Sequence, residues 1–147
     1  MPLLEFIGRL HPLVLHFPIA LIVVAAGVEA VRVRWDHPSF AGLVTFLLGV
    51  GVAGAATATA SGWIFAYESY PRPSLRWMLE WHRWLGIGTT VLTACAAWLA
   101  WRLGAASGNR HRWLRRVVVW TAAASVSITG HFGALMVWGE DYFGGGE

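Results

Sequence analysis

Four apolar stretches, each long enough to cross a bilayer as a helix, constrain this chain more than any other feature of its sequence. A helix needs about 20 residues to cross the roughly 30 Å hydrocarbon core. Because 56% of the residues are hydrophobic and only 13% are charged, a soluble domain is excluded. We expect one all-α domain over residues 1–147, an integral membrane four-helix bundle with spans near Leu10–Val33, Phe40–Ala66, Trp81–Leu103 and Arg116–Trp138.

The arginines are distributed unevenly between the two sides of this predicted bundle. All 11 basic residues are Arg, and seven of them lie in or beside the loops after the first and third spans. The other side carries Arg9, Arg72, Arg76 and Arg83 together with most of the carboxylates. Short Arg-rich loops stay in the cytoplasm, so we predict that both termini face outward (N-out/C-out). Topology thus explains the basic pI, and we expect contact with lipid and none with nucleic acid.

The second predicted span is rich in small residues. Gly51, Ala55 and Thr59 are spaced four residues apart, and so are Gly54, Ala58 and Gly62. This spacing lets helix backbones approach closely, so we expect the second span to be the packing centre of the bundle. In the first span, Pro18 has no N–H for the carbonyl of Val14, which predicts a bend beside His16.

Four histidines fall in the same half of the bilayer once the chain is folded into these spans: His11, His16, His82 and His131. His16 lies about six residues inside the first span and His131 about seven before the end of the fourth. At 1.5 Å per residue, both lie about 9–10 Å below the outer surface. Ionisable side chains at membrane depth are costly and usually functional, so four on one side suggest a ligand site or a redox centre.

We therefore predict that His16 and His131 are the axial pair of one b-type haem, held from opposite sides of the bundle. Gly130 and Gly133 would give a porphyrin clearance, and Ser127 or a backbone carbonyl would orient a ring nitrogen. In the alternative interpretation, each histidine only bonds a hydroxyl or carbonyl group inside the bundle.

His11 and His82 lie closer to the predicted membrane surface. They are candidates for a second ligand pair, or for groups that hydrogen-bond the haem propionates. Arg76 and Arg83 lie on the same side and could also bind propionates. The nearby Trp77, Trp81 and Trp84 are typical of an interfacial belt, and we expect them to form a docking rim for a periplasmic partner.

Other ligands stay open at this point. Four histidines with Met136 nearby also suit copper or zinc, although no two of them are three or four residues apart on one helix. A chlorophyll or bacteriochlorophyll accepts one axial His, and a quinone is a further candidate. Cys95 is a lone mid-span cysteine without a disulfide or c-type haem motif. We find no catalytic triad, P-loop or paired-carboxylate motif, so we expect a carrier or structural subunit and no catalysis of its own.

The segments HPLVLHFPIAL, WHRWLGIGT and TGHFGALMVWGEDYF together resemble a bacterial family of four-helix membrane proteins of unknown function. Members of that family begin with His-Pro-x-x-x-His-Phe-Pro-like segments, end with Gly-His-x-Gly-Gly and Gly-Glu-Asp-Tyr-like segments, and in some bacteria are fused to c-type cytochrome domains. The resemblance covers essentially the whole chain and points to the same four histidines. The chain differs at Ala134, where a second glycine is common.

These observations lead to two expected functions. The first is a b-type-haem electron-transfer subunit in the periplasmic half of a bacterial inner membrane, working with a quinol or with a separate cytochrome c that the resemblance implies. The second is an accessory or scaffold subunit of a respiratory or photosynthetic complex, contacting pigment, quinone or lipid.

Overall fold

The computed structural model describes residues 3–68, 73–103 and 108–139, and these residues are almost entirely helical. The helices are α1 (Leu3–Arg9), α2 (His11–Val14), α3 (His16–Arg34), α4 (Pro38–Glu68), α5 (Arg76–Leu103) and α6 (Asn109–Trp138), with a 3₁₀ turn at Pro73–Leu75. The described ranges contain no strand. Arg72 and the three acidic residues after Gly139 lie outside them.

Four helical segments are long and apolar enough to cross a membrane. They are Leu3–Arg34, Pro38–Tyr67, Pro73–Leu103 and Asn109–Trp138, and each contains one of the predicted spans. The all-α, four-span class predicted from the sequence is therefore confirmed. Large apolar side chains such as Val24, Phe46, Trp98 and Ile128 are exposed on the outside of the bundle, which is the surface that lipid would cover.

The first span is interrupted twice, between α1 and α2 and again between α2 and α3. The second interruption falls at Leu15, directly before His16, where the chain keeps a helical φ and ψ. Pro18 cannot donate to the carbonyl of Val14, so the hydrogen-bond ladder is broken at the position that the sequence predicts.

The four long helices form a closed bundle in chain order. α3 packs against α4 and α6, and α5 packs against α4 and α6. We call the end at which α3 ends and α6 begins the arginine end, and the opposite end the histidine end. Close approach of α3 and α4 depends on small residues, because a Cβ on Gly51 would lie 3.3 Å from the Ile22 side chain. The interior is filled mainly by Ala, Val and Leu side chains.

Candidate functional site

His11 and His82 meet at the histidine end of the bundle. Their ring centroids are 6.3 Å apart and the ring planes are nearly perpendicular, at 81°. His11 comes from α2 and His82 from α5, and both side chains are half-buried. The structure thus brings together two of the four candidate histidines.

Each of these rings is fixed by a hydrogen bond to the backbone of another helix. His11 Nδ1 donates to the carbonyl of Ala58 on α4 at 3.0 Å, and His82 Nδ1 donates to the carbonyl of Thr129 on α6 at 2.9 Å. A carbonyl oxygen can only accept, so the neutral ring carries its proton on Nδ1. Nε2 then bears a free lone pair, which is the arrangement of a metal-binding imidazole with an oriented second nitrogen.

Two glycines make room for the two rings. A Cβ on Gly62 would lie 2.8 Å from Cε1 of His11, and a Cβ on Gly133 would lie 3.1 Å from Cε1 of His82. Any larger residue at position 62 would have to displace the imidazole. The small-residue face of α4 that ends at Gly62 therefore serves His11 as well as helix packing.

A layer of hydroxyl groups lies beside the histidine pair. Thr89 on α5 lies 2.6 Å from Ser125 and 3.1 Å from Thr129 of α6, measured between hydroxyl oxygens. Thr129 also supplies the carbonyl that binds His82. These contacts join α5 to α6 at the level of the site and hold the acceptor of His82 in place.

Arg83 follows His82 and carries a spare hydrogen-bond donor. Its guanidinium lies 4.5 Å from the centroid of the Trp63 ring, and Glu80 lies 3.5 Å from Nη1. Its Nε is buried and has no hydrogen-bond partner among the described residues. A buried, unpaired donor of a cation is unfavourable, so this position suits an additional anionic group.

His16 and His131 lie on the outside of the bundle. Both side chains are exposed, and His16 Nδ1 donates to the carbonyl of Pro12 at 2.6 Å. A Cβ on Gly130 would lie 3.5 Å from Cδ1 of Ile19, so α3 and α6 meet close to the level of both histidines. Within the described part of the chain, no ring contact joins His16 to His131. Ligation of one haem by these two residues therefore stays a prediction.

No compact site for a bare metal ion forms among residues 3–68, 73–103 and 108–139. These ranges contain no group of three or more His, Cys, Asp or Glu side chains that could hold a metal. Cys95 is exposed on the outside of the bundle. Copper and zinc sites built from protein ligands alone need three or four donors.

The predicted aromatic rim is exposed at the histidine end. Trp77, Trp81 and Trp84 are each more than half exposed, and Arg76 is exposed beside them. The Trp77 ring packs edge-on against Phe132 of α6, with 6.4 Å between centroids. The rim is thus anchored to the bundle on one side and open on the other.

Sequence reasoning missed a buried ionic contact at the arginine end. Glu29 and Arg32 form an ion pair with 2.7 Å between Oε1 and Nη1, and both side chains are fully buried. Arg115 of α6 reaches the same carboxylate, with 2.9 Å between Nε and Oε1. The sequence did hold a signal for this buried contact, because an acidic residue and several arginines lie at the same predicted depth.

A closed bundle of four membrane-spanning helices, with an imidazole pair between helices at one end, defines the class: a multi-pass membrane protein with a candidate cofactor site. The chain belongs to the family described as predicted membrane protein (DUF2231), which matches residues 9–142. This membership confirms the resemblance to a membrane family of unknown function, and the matched range contains all four histidines. No curated protein and no solved structure matches the chain.

Proposed function

We propose that this protein binds b-type haem through His11 and His82 and transfers electrons as a subunit of a larger membrane complex. The observation that carries the proposal is the contact between two imidazoles from different helices, each with Nδ1 bonded to a backbone carbonyl. Imidazole pairs on neighbouring helices are a common way to hold haem iron inside a helical bundle.

The spacing of the two rings fits a shared metal ion. Two imidazoles that would together hold one haem iron must lie close to each other on neighbouring helices of the bundle. The centroids of the two rings are 6.3 Å apart.

The charges around the pair fit an anionic cofactor. Arg83 offers a buried Nε without a partner, and the exposed Arg76 lies on the same side. The two propionates of haem are acceptors of the type that a guanidinium binds best. We assign Arg83 as the first propionate ligand, with Arg76 in a supporting role.

A tetrapyrrole explains the donor set better than bare copper or zinc. A tetrapyrrole supplies four nitrogens of its own and needs only one or two protein ligands, and two imidazoles converge here. Copper or zinc would need further donors, and the described residues bring no third His, Cys, Asp or Glu to the pair.

When bound, haem supplies a one-electron redox couple. The residues of the chain would hold the haem and determine its immediate environment. The carbonyls of Ala58 and Thr129 make the two imidazoles more basic, because hydrogen bonding at Nδ1 increases electron density at Nε2. Gly62 and Gly133 keep both rings close to the helix backbones. The apolar interior below the pair limits the access of water.

The site lies at one end only, so this chain does not relay electrons across the bilayer by itself. Electrons would pass laterally between a quinol or another membrane subunit and a periplasmic cytochrome c. The exposed Trp77, Trp81 and Trp84 with Arg76 are the surface that we assign to this partner, since aromatic and Arg side chains dominate interface energetics. In this proposal, the histidine end faces outward from a bacterial inner membrane.

The exposure of His16 and His131 favours a second candidate function. An imidazole on the outside of a bundle can ligate a chlorophyll or contact a quinone at the boundary with another subunit. The protein would then be an accessory or scaffold subunit of a respiratory or photosynthetic complex, and its histidines would not transfer electrons.

The absorption spectrum of the full chain, purified from its native membrane in mild detergent, tests the proposal. Reduction with dithionite should give the spectrum of a low-spin b-type haem, and acid extraction should release haem without covalent attachment. A chlorophyll spectrum would support the second candidate. A preparation with neither pigment after gentle extraction would overturn the proposed function.

A further inference from the structure

A group of charged side chains is enclosed between α3 and α6 at the arginine end, far from the histidines. We call it the arginine cluster: Arg32, Arg112, Arg115 and Arg116, with Glu29 and Asp36. Glu29, Arg32 and Arg115 are among the largest fully buried side chains of the protein, and Arg116 is only 6% exposed. Burial of this many charges is unfavourable unless each of them is compensated.

Glu29 is shared by three of the arginines. Arg32 Nη1 lies 2.7 Å and Arg115 Nε 2.9 Å from Glu29 Oε1, and Arg116 Nε lies 3.6 Å from Oε2. The last distance is too long for a hydrogen bond. One carboxylate therefore balances three guanidinium groups only in part.

Asp36 is the second carboxylate of the cluster. It accepts from Arg32 Nε at 3.0 Å, and Arg112 Nη1 lies 3.5 Å from its other oxygen. Partial burial alone would raise the pKa of Asp36, but the hydrogen bond from Arg32 and the charges of Arg32, Arg116 and Arg112 lower it below its ordinary value. The surroundings of Asp36 thus have a positive potential even with both carboxylates ionised.

The charges of the cluster do not balance among the residues that the structure describes. Four arginines face two carboxylates, which leaves two positive charges (4 − 2 = 2). Glu5 and Glu80 lie in α1 and α5 at the histidine end, and Glu68 ends α4 there.

Three buried donor nitrogens of the cluster have no hydrogen-bond partner among the described residues: Arg32 Nη2, Arg112 Nε and Arg116 Nε. Arg32 Nη2 still lies 2.8 Å from Asp36 Oδ1, and Arg116 Nη2 donates to the carbonyl of Arg32 at 2.7 Å. The cluster opens to its surroundings at Arg112, whose side chain is 37% exposed. Trp113, an interfacial residue type, lies 5.3 Å from the Arg116 guanidinium.

We propose that the arginine cluster binds one phosphate-bearing anion through Arg112 and Arg116, either the headgroup of an anionic phospholipid or a free phosphate. A phosphate carries one or two negative charges and several acceptor oxygens, which match the excess charge and the unpaired donors. Basic pockets between membrane helices at the headgroup level bind anionic lipids in this way. The proposal does not depend on the haem site.

Thermal unfolding of the purified full chain in a neutral detergent tests the proposal. Three additives are compared: phosphatidylglycerol, phosphatidylcholine and inorganic phosphate. The variants are Arg112→Gln and Arg116→Gln, and the matched control is Arg110→Gln, which removes one exposed charge from the same end of α6. A ligand of the folded state raises Tm, and we expect a rise of about 5 °C with phosphatidylglycerol at saturation.

Phosphatidylglycerol should raise the Tm of the unchanged protein and of Arg110→Gln, and this rise in Tm should be at least halved in the two test variants. Phosphatidylcholine should not raise the Tm. A rise with inorganic phosphate alone would identify a soluble ligand in place of the lipid. Equal rises in all variants would show non-specific charge attraction and overturn the proposal, and so would no rise with either anion. If Arg116→Gln does not fold, Arg112→Gln decides, because Arg112 makes no contact with Glu29.

Discussion

Gly133 packs against His82, with a distance of 3.1 Å between Cε1 of the ring and a Cβ built on the glycine. α6 therefore presents Gly133 to the interior of the site. Successive residues on a helix are rotated by about 100°, so His131, two residues earlier, points about 200° away. The same rotation places His16 about 140° from His11 around a continuous helix. His131 and His16 therefore point away from the faces of their helices that carry Gly133 and His11, and both are exposed.

Replacing Gly62 by Ala should displace His11. The added methyl group would lie 2.8 Å from Cε1 of the ring, so the imidazole must move away from the carbonyl of Ala58. We expect loss of most of the bound pigment and a destabilisation of about 1–3 kcal/mol. Pigment content per protein and thermal unfolding measure the two effects.

Gly49→Ala is the matched control for this change, because a Cβ at position 49 on the same helix meets nothing within 4 Å. It should leave the spectrum unchanged and should be neutral or slightly stabilising. Equal pigment content in Gly62→Ala and Gly49→Ala would show that His11 is not held by this contact.

Replacing Glu29 by Gln should strongly destabilise the bundle. Glu29 is fully buried and accepts from Arg32 and Arg115, so the change removes the negative charge that both guanidinium groups contact, although Arg32 keeps its contact with Asp36. Removal of one partner from a buried ionic contact typically costs about 3–5 kcal/mol. Unfolding in mixed detergent and denaturant gives the free energy.

Glu80→Gln serves as the control for the Glu29 change, because Glu80 is 59% exposed and its single ion pair with Arg83 is long, at 3.5 Å. That change should cost less than about 1 kcal/mol. If both variants unfolded at the same denaturant concentration as the unchanged protein, the arginine cluster would contribute no net stability.

The topology prediction depends on the uneven distribution of arginine, since the arginine end carries seven of the 11 arginines. A reporter that fluoresces only in the cytoplasm should stay dark when it is fused after Glu147. The same reporter inserted between Leu103 and Asn109 should fluoresce. The reverse pattern would place the histidine end in the cytoplasm and remove the periplasmic partner from the account.

Most of the fold could be predicted from the sequence because it depends on local quantities. The length of each apolar stretch sets the number of spans, and Pro18 sets the interruption beside His16. The predicted start of the third span, Trp81, is later than the observed one, since α5 begins at Arg76 directly after a 3₁₀ turn at Pro73–Leu75.

The candidate site could be predicted only in part. Depth follows from residue counting, and it correctly placed candidate histidines at one end. Which face of a helix meets its neighbour depends on the packing of all four helices, and depth alone selected the exposed His16 and His131. The small-residue face of α4 that ends at Gly62 was the signal for His11, because such a face marks where another helix approaches.

The arginine cluster shows the same limit. The three-residue spacing of Glu29 and Arg32 predicts their contact. The contact of Glu29 with Arg115 joins α3 to α6, and it requires knowing that the first and last helices are neighbours. Counting charges by loop gives no sign that Arg115 and Arg116 are buried, as the structure shows them to be.

The central claim is that His11 and His82 hold the haem, and reduced-minus-oxidised spectra of four single His→Leu variants test it most directly. His11→Leu and His82→Leu should each abolish the low-spin b-type signal while the protein still inserts, because Leu is well tolerated in lipid. His16→Leu and His131→Leu, at similar depth but exposed, should retain it. Loss of the signal with His16→Leu and His131→Leu, and its retention with His11→Leu and His82→Leu, would contradict the account and assign the haem to the outer pair.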